Sequence, residues 1–348
     1  MINRKYKSDT TDSMLFTPIV EDIIAENGRG NVLVWARSPD ADVNLESSAY
    51  LIRLFIKGFS SIKKGDTVFV TSTPPFLSFV VLFLRLFKRF RVIFQVQDLY
   101  PDIMKFLSWK YKLVYYAVYP FSWILYQKVD LYLTISDRIK DQLIKNYNIN
   151  AAHITVVENW TDIDNTALTQ VQASNRIIYI GNIGKAHDYT YFLDYILKKN
   201  CPWDIVIKTD NSSKINVFNS NELNGNGLKT HELPGFIEWN HKRYSKDELS
   251  EYLRGFDYSI VFLGKDFDRI LFPCKIYSSL SMLMPVIFFG PEDSFVNQWL
   301  EKNNLGFHYS KIEENYDKIN FYRENIYQYN ISNPFEQKIN TISKIILS

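Results

Sequence analysis

The chain has 348 residues, of which 46% are hydrophobic and 22% charged, so it is long enough for two domains with a core each. The formal net charge of +2 gives no whole-protein argument for nucleic acid as a partner. Cys201 and Cys274 form no CxxC pair, and with five scattered histidines they make no zinc signature. The basic N-terminus has no apolar core behind it, unlike a secretory signal. We therefore expect a cytoplasmic protein without a metal or a cofactor.

Short apolar runs rich in β-branched residues alternate with longer helical patterns in the first half of the chain. The runs that predict strands are "NVLVWA", "DTVFVTS", "RVIFQVQ", "DLYLTIS" and "HITVVEN". Residues 46–60 and 109–128 predict helices between them. Strands that alternate with helices are typical of a parallel sheet that is buried on both faces. This half is therefore predicted to be an α/β, Rossmann-like domain.

The second half repeats the same alternation. The predicted strands are "RIIYIGN", "WDIVIKT", "GLKTHEL", "DYSIVFLG" and "MPVIFFG", with helices from His187, Ser245, Pro273 and Asp293. A polar stretch without apolar periodicity separates the halves, which predicts an N-terminal domain over residues 1–172 and a C-terminal domain over 173–348. The amphipathic "KINTISKIIL" at the end is expected to pack back on the globule. Two such domains would face each other across a cleft.

The segment "FLSFVVLFLRLFKRFR" joins an apolar stretch to four cations, Arg85, Lys88, Arg89 and Arg91. The apolar stretch is too short to span a bilayer. It suits either a helix in the membrane interface with its cations on anionic headgroups, or a core helix followed by a solvated basic turn. Both interpretations stay open on the sequence, and the first predicts peripheral membrane contact through these four residues.

Ligands of open α/β sheets bind at the carboxyl ends of the strands. The turn "GNIG" follows a predicted strand and leads toward a helix, so its bare amides could hold a phosphate oxygen, or it could be only a tight turn. Lys275 lies in the first turn of the helix predicted from Pro273 and could add a cation to the same site or only be solvated. Asp98, directly after a predicted strand, could orient or deprotonate an acceptor hydroxyl or cap the following turn.

Several segments, in order, resemble the retaining GT-B glycosyltransferases of bacterial surface-polysaccharide assembly, which are similar to family 4. They are "TSTPPFLSFVVLFLRLFKRFRVIFQVQDLYPD", "DLYLTISDRIKDQLIKNYNINAAHITVVENWTDID", "IIYIGNIGKAHDYTYFLDYI" and "FPCKIYSSLSMLMPVI". The resemblance covers about residues 6 to 310, and its motifs are specific as a set although each alone is degenerate. It implies that a nucleotide-sugar donor and a saccharide or polyprenyl-linked saccharide acceptor are the partners.

The resemblance also implies roles for individual residues. The donor-binding residues would be Gly181, Asn182, Gly184, Phe236, Lys275, Tyr277 and Ser278. Asp98 and Asn159 would face the acceptor and the reacting sugar. Asp9 and Thr10 would also bind the acceptor. The nucleotide would leave without a bound metal, because amide dipoles and cations stabilise its developing charge.

Three features depart from the family pattern. Ile270 and Ser278 stand where the family often has two glutamates, so ribose recognition is expected to differ. Only five residues precede the segment that usually follows a first strand, so we expect that strand to be missing or the sheet to be short. "SMLM" replaces small residues before "PV". These departures keep open a second function, a catalytically inactive accessory or scaffold subunit of a polysaccharide-assembly complex. A GT-B sugar-nucleotide epimerase is a third, less favoured because the carboxylates and histidines of such enzymes cannot be located.

Overall fold

The computed structural model describes residues 32–34, 48–72, 77–160, 174–181, 183–198, 203–209, 237–240, 242, 244 and 246–347. Two compact units divide the chain. The first comprises Met1–Asn159, Arg269–Phe272 and Glu336–Ser348, and the second comprises Trp160–Asp268 and Pro273–Phe335. The predicted boundary near residue 172 lies outside the described residues. A single boundary would assign residues 269–272 and 336–348 to the C-terminal domain, whereas they belong to the first unit.

The first unit is built on a five-stranded sheet of order β1-β2-β3-β4-β5, and every pair is parallel. Its strands are β1 (Val32–Val34), β2 (Thr67–Thr71), β3 (Arg91–Val96), β4 (Leu131–Thr134) and β5 (Ile154–Val156). Its helices up to β5 are α1 (Ser48–Ser61), α2 (Leu77–Leu84), α3 (Met104–Leu107), α4 (Trp109–Tyr126) and α5 (Asp137–Tyr147). All five strands coincide with the predicted runs. The predicted absence of an earlier strand concerns residues outside the described part.

The second unit has a six-stranded parallel sheet of order β11-β10-β9-β6-β7-β8. Its strands are β6 (Arg176–Ile180), β7 (Asp204–Lys208), β8 (Ile237–Asn240), β9 (Tyr258–Phe262), β10 (Val286–Phe289) and β11 (Gly306–His308). Its helices are α6 (Thr190–Lys198), α7 (Lys246–Leu253), α8 (Lys275–Ser281), α9 (Phe295–Lys302), α10 (Ile312–Asn315) and α11 (Ile319–Ser332). The strand order reverses between β6 and β9, as in a doubly wound fold.

The strands form because their β-branched and aromatic side chains are buried. All five residues of β9 are buried, and Tyr179, Phe262 and Phe289 belong to one core cluster on the sheet. The predicted strands do not include β8 and β11, whose sequences IEWN and GFH contain polar residues or a glycine and are not continuous apolar runs. The predicted strand "GLKTHEL" lies outside the described residues. The predicted α/β fold of two Rossmann-like domains is confirmed.

The last helix, α12 (Phe335–Leu347), returns to the first unit. Ile339, Ile342 and Ile346 are buried, which confirms the predicted amphipathic helix that packs on the globule. Lys338 Nζ donates a hydrogen bond to the Asn159 backbone oxygen at 2.7 Å, and the Arg91 guanidinium donates to the Ile345 oxygen at 3.3 Å. These contacts explain why the end of the chain belongs to its first unit.

We expect Ile342→Ala to destabilise the first unit by about 2–4 kcal/mol, because a fully buried side chain leaves a cavity. Urea denaturation measures this, with Lys344→Ala on the exposed side of the same helix as the control. The control should lie within about 0.5 kcal/mol of the wild-type value. Equal effects of the two substitutions would contradict the packing of α12.

Candidate functional site

The reversal of strand order in the second sheet places the ends of β6 and β9 side by side. In open α/β sheets ligands bind at this switch point, outside the carboxyl ends of the strands. The loops that follow the two strands are joined by a hydrogen bond from the Gly264 amide to the Ala186 oxygen at 2.9 Å. The segment after β9 leads to Lys275, the first residue of α8. The fold therefore brings the predicted glycine turn and the predicted lysine to one place.

Gly181 and Lys275 are in direct contact. Gly181 has φ +117°, a backbone angle that favours glycine. A Cβ built on it would lie 2.5 Å from Lys275 Cε and 2.7 Å from Nζ. Any larger residue at position 181 must therefore displace the lysine or be displaced by it.

The Lys275 ammonium is held by Tyr179, the residue two positions before Gly181. Lys275 Nζ donates a hydrogen bond to the Tyr179 hydroxyl at 2.8 Å and lies 4.6 Å from the centroid of the Tyr179 ring, within cation–π range. The Tyr179 ring stacks on Phe262 of β9 at 4.6 Å. Burial lowers the pKa of Lys275 to about 7, although Cys274 acts in the opposite direction. The site therefore carries a cation that has lost much of its hydration.

Two predictions for this site need correction. The amides of the glycine turn are not bare: the Gly181 amide donates to the Lys208 oxygen at 2.9 Å and the Gly184 amide to His187 Nδ1 at 2.9 Å. In this structure Gly181 contributes space and a backbone angle that favours glycine, and neither glycine amide is a free donor. The helix begins at Lys275 and not at Pro273, whose oxygen instead accepts a hydrogen bond from the Ile276 amide at 3.1 Å.

The other predicted donor residues are placed differently from one another. Tyr277 is only 2% exposed and packs edge-on against Trp299 at 5.8 Å, whereas Ser278 is exposed. Asn182 and Phe236 lie outside the described residues. Ile270, which stands at one of the family's glutamate positions, is 3% exposed.

Sequence reasoning missed two residues near the end of β6. Tyr179 could have been found, because side chains two apart on a strand share a face and Gly181 follows at that spacing. Lys208 ends the neighbouring strand β7, is 8% exposed and has its Nζ 5.4 Å from the ring centroid of Tyr244. Its pairing with the end of β6 depends on the strand order, which the sequence does not state.

In the first unit, Asp98 and Asn159 follow β3 and β5, whose carboxyl ends lie at the same edge of the sheet. The Ser72 hydroxyl accepts hydrogen bonds from the amides of Gln97 at 3.0 Å and Asp98 at 3.1 Å, which fixes the chain after β3. Burial raises the pKa of Asp98 to about 6, the range in which a carboxylate can act as a general base. Asn159 is 8% exposed. Asp9 and Thr10 lie outside the described residues.

The four cations predicted to contact a membrane are largely engaged within the protein. Arg85 forms a salt bridge with Asp130 at 3.3 Å, and Lys88 donates to the Ile62 oxygen at 2.7 Å. Arg91 donates to α12, as described above, and Arg89 is exposed. The apolar stretch before them is a core helix, with Val81, Leu82 and Leu84 fully buried. Membrane contact through these residues stays a prediction, and the basic turn has a structural role beside it.

No group of three or more His, Cys, Asp and Glu side chains is arranged to hold a metal ion in the described part of the chain. No helix among those described combines the length and the apolar character that a membrane span needs.

Residues 12–165 match the model of Glycosyltransferase Family 4. A glycosyltransferase from Rickettsia africae has a similar structure, with TM-score 0.65, 15% sequence identity and coverage of 95% of this chain and 94% of the other. The chain is a glycosyltransferase of the GT-B fold. No curated protein matches the sequence.

Two further structures extend this result. Anabaena Alr3699/HepE in complex with UDP-glucose has TM-score 0.63 and 11% identity, over 99% of this chain and 96% of the other. The α,α-trehalose-phosphate synthase (UDP-forming) of Burkholderia vietnamiensis has TM-score 0.55 and 11% identity, over 88% and 80%. At these sequence identities the structural similarity establishes the fold of this chain and nothing further.

The pKa of Lys275 gives a prediction for stability. Its folded value of about 7 is below the ordinary value near 10.5, so the unfolded chain binds the proton more tightly and stability rises with pH between about 7 and 10. Lys275→Met removes this term. We expect the stability of the variant relative to wild type to be highest near pH 7 and to fall by up to about 1.4 kcal/mol per pH unit above it.

Urea denaturation at several pH values measures this difference. Lys265→Met is the matched control, because Lys265 is an exposed lysine shortly before α8. A difference between Lys275→Met and wild type that is the same at every pH would mean that the ammonium is fully hydrated in the folded protein.

Proposed function

We propose that this glycosyltransferase moves a sugar from a nucleoside diphosphate sugar to a saccharide acceptor. The observation that carries the proposal is the contact of Lys275 with Gly181 and Tyr179 at the switch point of the second sheet. A partly dehydrated ammonium at this position suits a diphosphate. One structure of the same fold is described in complex with UDP-glucose, which supports a nucleotide sugar as the donor.

Lys275 is proposed to contact the donor diphosphate and to stabilise the charge that develops on it when the glycosidic bond breaks. Gly181 is proposed to keep the space for Lys275 open, and Asn182 and Gly184 are proposed to lie against the donor diphosphate on the strength of the sequence resemblance alone. Ser278, exposed in the first turns of α8, is proposed to lie toward the ribose. The side chain of Tyr277 supports α8 from inside the core, and Phe236 is proposed near the base on the strength of the sequence resemblance alone.

This role for Lys275 makes a bound metal unnecessary for the departure of the nucleotide. A diphosphate beside the ammonium would raise the pKa of Lys275 from about 7, so donor binding near neutral pH would take up part of a proton. We propose that no further cofactor takes part.

The acceptor is proposed to be a saccharide, polyprenyl-linked, in the synthesis of a surface polysaccharide such as O-antigen or capsule at the cytoplasmic side of the membrane. Asp98 and Asn159 of the first unit would contact the acceptor and the reacting sugar, with Asp9 and Thr10 also on the acceptor. The buried Asp98 carboxylate is the proposed base for the acceptor hydroxyl. Retention of the anomeric configuration is proposed from the sequence resemblance.

Donor binding tests the proposal for Lys275. Among UDP-, GDP- and dTDP-sugars we expect at least one to bind in calorimetry, and Lys275→Met to raise its Kd by about 10- to 100-fold, since a charge-assisted hydrogen bond is lost. Titration in two buffers of different ionisation enthalpy should show proton uptake by the wild type and not by the variant.

A glycine pair provides the control for the same assay. Gly181→Ala should weaken donor binding because its Cβ meets Lys275, whereas Gly65→Ala should not, since Gly65 has φ +91° but nothing within 4 Å of a Cβ. The Gly65 variant carries a similar backbone strain and so isolates the effect of the lysine. If none of the donors binds, the inactive scaffold protein becomes the better description.

Asp98→Asn tests the proposed base. We expect donor Kd to stay unchanged and kcat/KM for transfer to fall by about 100-fold or more. Wild-type kcat/KM should rise with pH, with an apparent pKa of about 6, because the carboxylate must lose its proton to act as a base. The variant should not show this rise. Asp137→Asn, an exposed carboxylate after the neighbouring strand β4, is the control. An unchanged pH profile in Asp98→Asn would exclude the role.

A further inference from the structure

Helix α4 exposes large apolar side chains around most of its circumference. Eight of them are at least 40% exposed: Trp109 (69%), Tyr111 (47%), Leu113 (61%), Val114 (43%), Tyr116 (58%), Phe121 (42%), Trp123 (40%) and Ile124 (49%). The opposite side is held by buried residues, among them Tyr115, Leu125 and Tyr126. A helix that is apolar almost all round is normally covered by protein or lipid.

The exposed apolar surface continues onto neighbouring helices. Phe83 of α2 links α4 with α1. The centroid of its ring lies 6.0 Å from that of Phe121 in α4 and 5.8 Å from that of Phe55 in α1. Further large apolar side chains are exposed on α1 and in the turn after α2. They are Ile52 (58%), Ile56 (62%), Phe59 (49%) and Phe87 (63%). We call this set together with the eight exposed residues of α4 the apolar layer.

The exposed charges on α1 and α4 themselves are all positive, whereas Asp130, two residues beyond Lys128, is paired with Arg85. The exposed cations on or beside it are Lys57, Arg89, Lys105, Lys110, Lys112 and Lys128. Residues 103–129 and 48–65 contain no Asp or Glu. Tryptophan and tyrosine together with lysine are the side chains that proteins place at the boundary between acyl chains and headgroups.

This combination distinguishes between a lipid surface and a second copy of the chain. In a twofold contact the same patch meets itself, so the lysines of each copy would oppose those of the other. Protein interfaces are also depleted in lysine. An anionic bilayer offers complementary charge to the lysines and an apolar phase to the rings.

We propose that the apolar layer is a membrane-binding surface, with α4 in the interface of an anionic bilayer and its lysines on the headgroups. This surface shares only Phe87 and Arg89 with the basic turn at residues 85–91, whose other three cations are bound within the protein. The proposal does not depend on the donor site, because every residue that carries it belongs to the first unit.

Flotation with lipid vesicles tests the proposal. The full chain should float with vesicles that contain phosphatidylglycerol and much less with pure phosphatidylcholine. The triple variant Trp109→Ser, Leu113→Gln, Tyr116→Ser should lower the partition coefficient by about ten-fold or more, because large apolar side chains leave the acyl boundary. Lys110→Gln with Lys112→Gln should reduce binding only to the anionic vesicles.

The matched control is Phe321→Ser with Ile331→Ser, which removes two apolar side chains of similar exposure, 50% and 49%, from the second unit. This control should float like the wild type. Unchanged circular dichroism and donor binding show that the α4 variant is folded. Wild-type protein that does not float, or a triple variant that floats equally well, overturns the proposal. So does a dimer in light scattering that the triple variant abolishes without any vesicle binding.

Discussion

The dehydrated ammonium of Lys275 is the interaction on which the proposed chemistry depends. Removing a cation from water is unfavourable, and the hydroxyl and ring of Tyr179 compensate only in part, as the lowered pKa shows. The free protein therefore carries an interaction that an anion would improve. A diphosphate at this place would restore the favourable environment of the charge, and it would do so most strongly when negative charge builds up on the leaving group. Gly181 is needed for the same reason, because a side chain there would occupy the position of the lysine.

The strand order decides where this arrangement can form. In the second sheet the order reverses between β6 and β9, so the segments after these strands start side by side and are joined by the hydrogen bond from the Gly264 amide to the Ala186 oxygen. In the first sheet the described strands follow one another without reversal. The carboxyl ends of β3 and β5 still lie at one edge, with β4 between them, which places Asp98 and Asn159 in the same row. The two units thus offer different chemistry, a cation in one and a carboxylate with an amide in the other.

Much of the fold could be predicted because the long strands are continuous β-branched runs that only burial explains. That the glycine turn and Lys275 share one site could be proposed from the residues, because each was predicted at a strand end or a helix start on the ligand-binding edge of the sheet, and the sequence resemblance pointed to the same pair. The residue types alone did not indicate that the amides of Gly181 and Gly184 donate hydrogen bonds within the protein. Their acceptors, the Lys208 oxygen and His187 Nδ1, depend on strand pairing and on a turn whose geometry is not written in the residue types. The charge of the basic turn likewise predicts membrane contact. The residue types do not show that Arg85 and Lys88 have partners in distant segments of the chain.

The return of α12 to the first unit links the end of the chain to a proposed site residue. Lys338 donates to the backbone oxygen of Asn159 at 2.7 Å and lies 3.9 Å from the Glu158 carboxylate. Burial lowers the pKa of Lys338 to about 8, with Glu158 acting against the shift, so this cation is retained where it is costly. The hydrogen bond from the largely buried Lys338 ammonium ties α12 to the backbone that follows β5. The chain after β5 therefore has its position set by the last helix, and Asn159 depends on residues that the chain supplies only at its end.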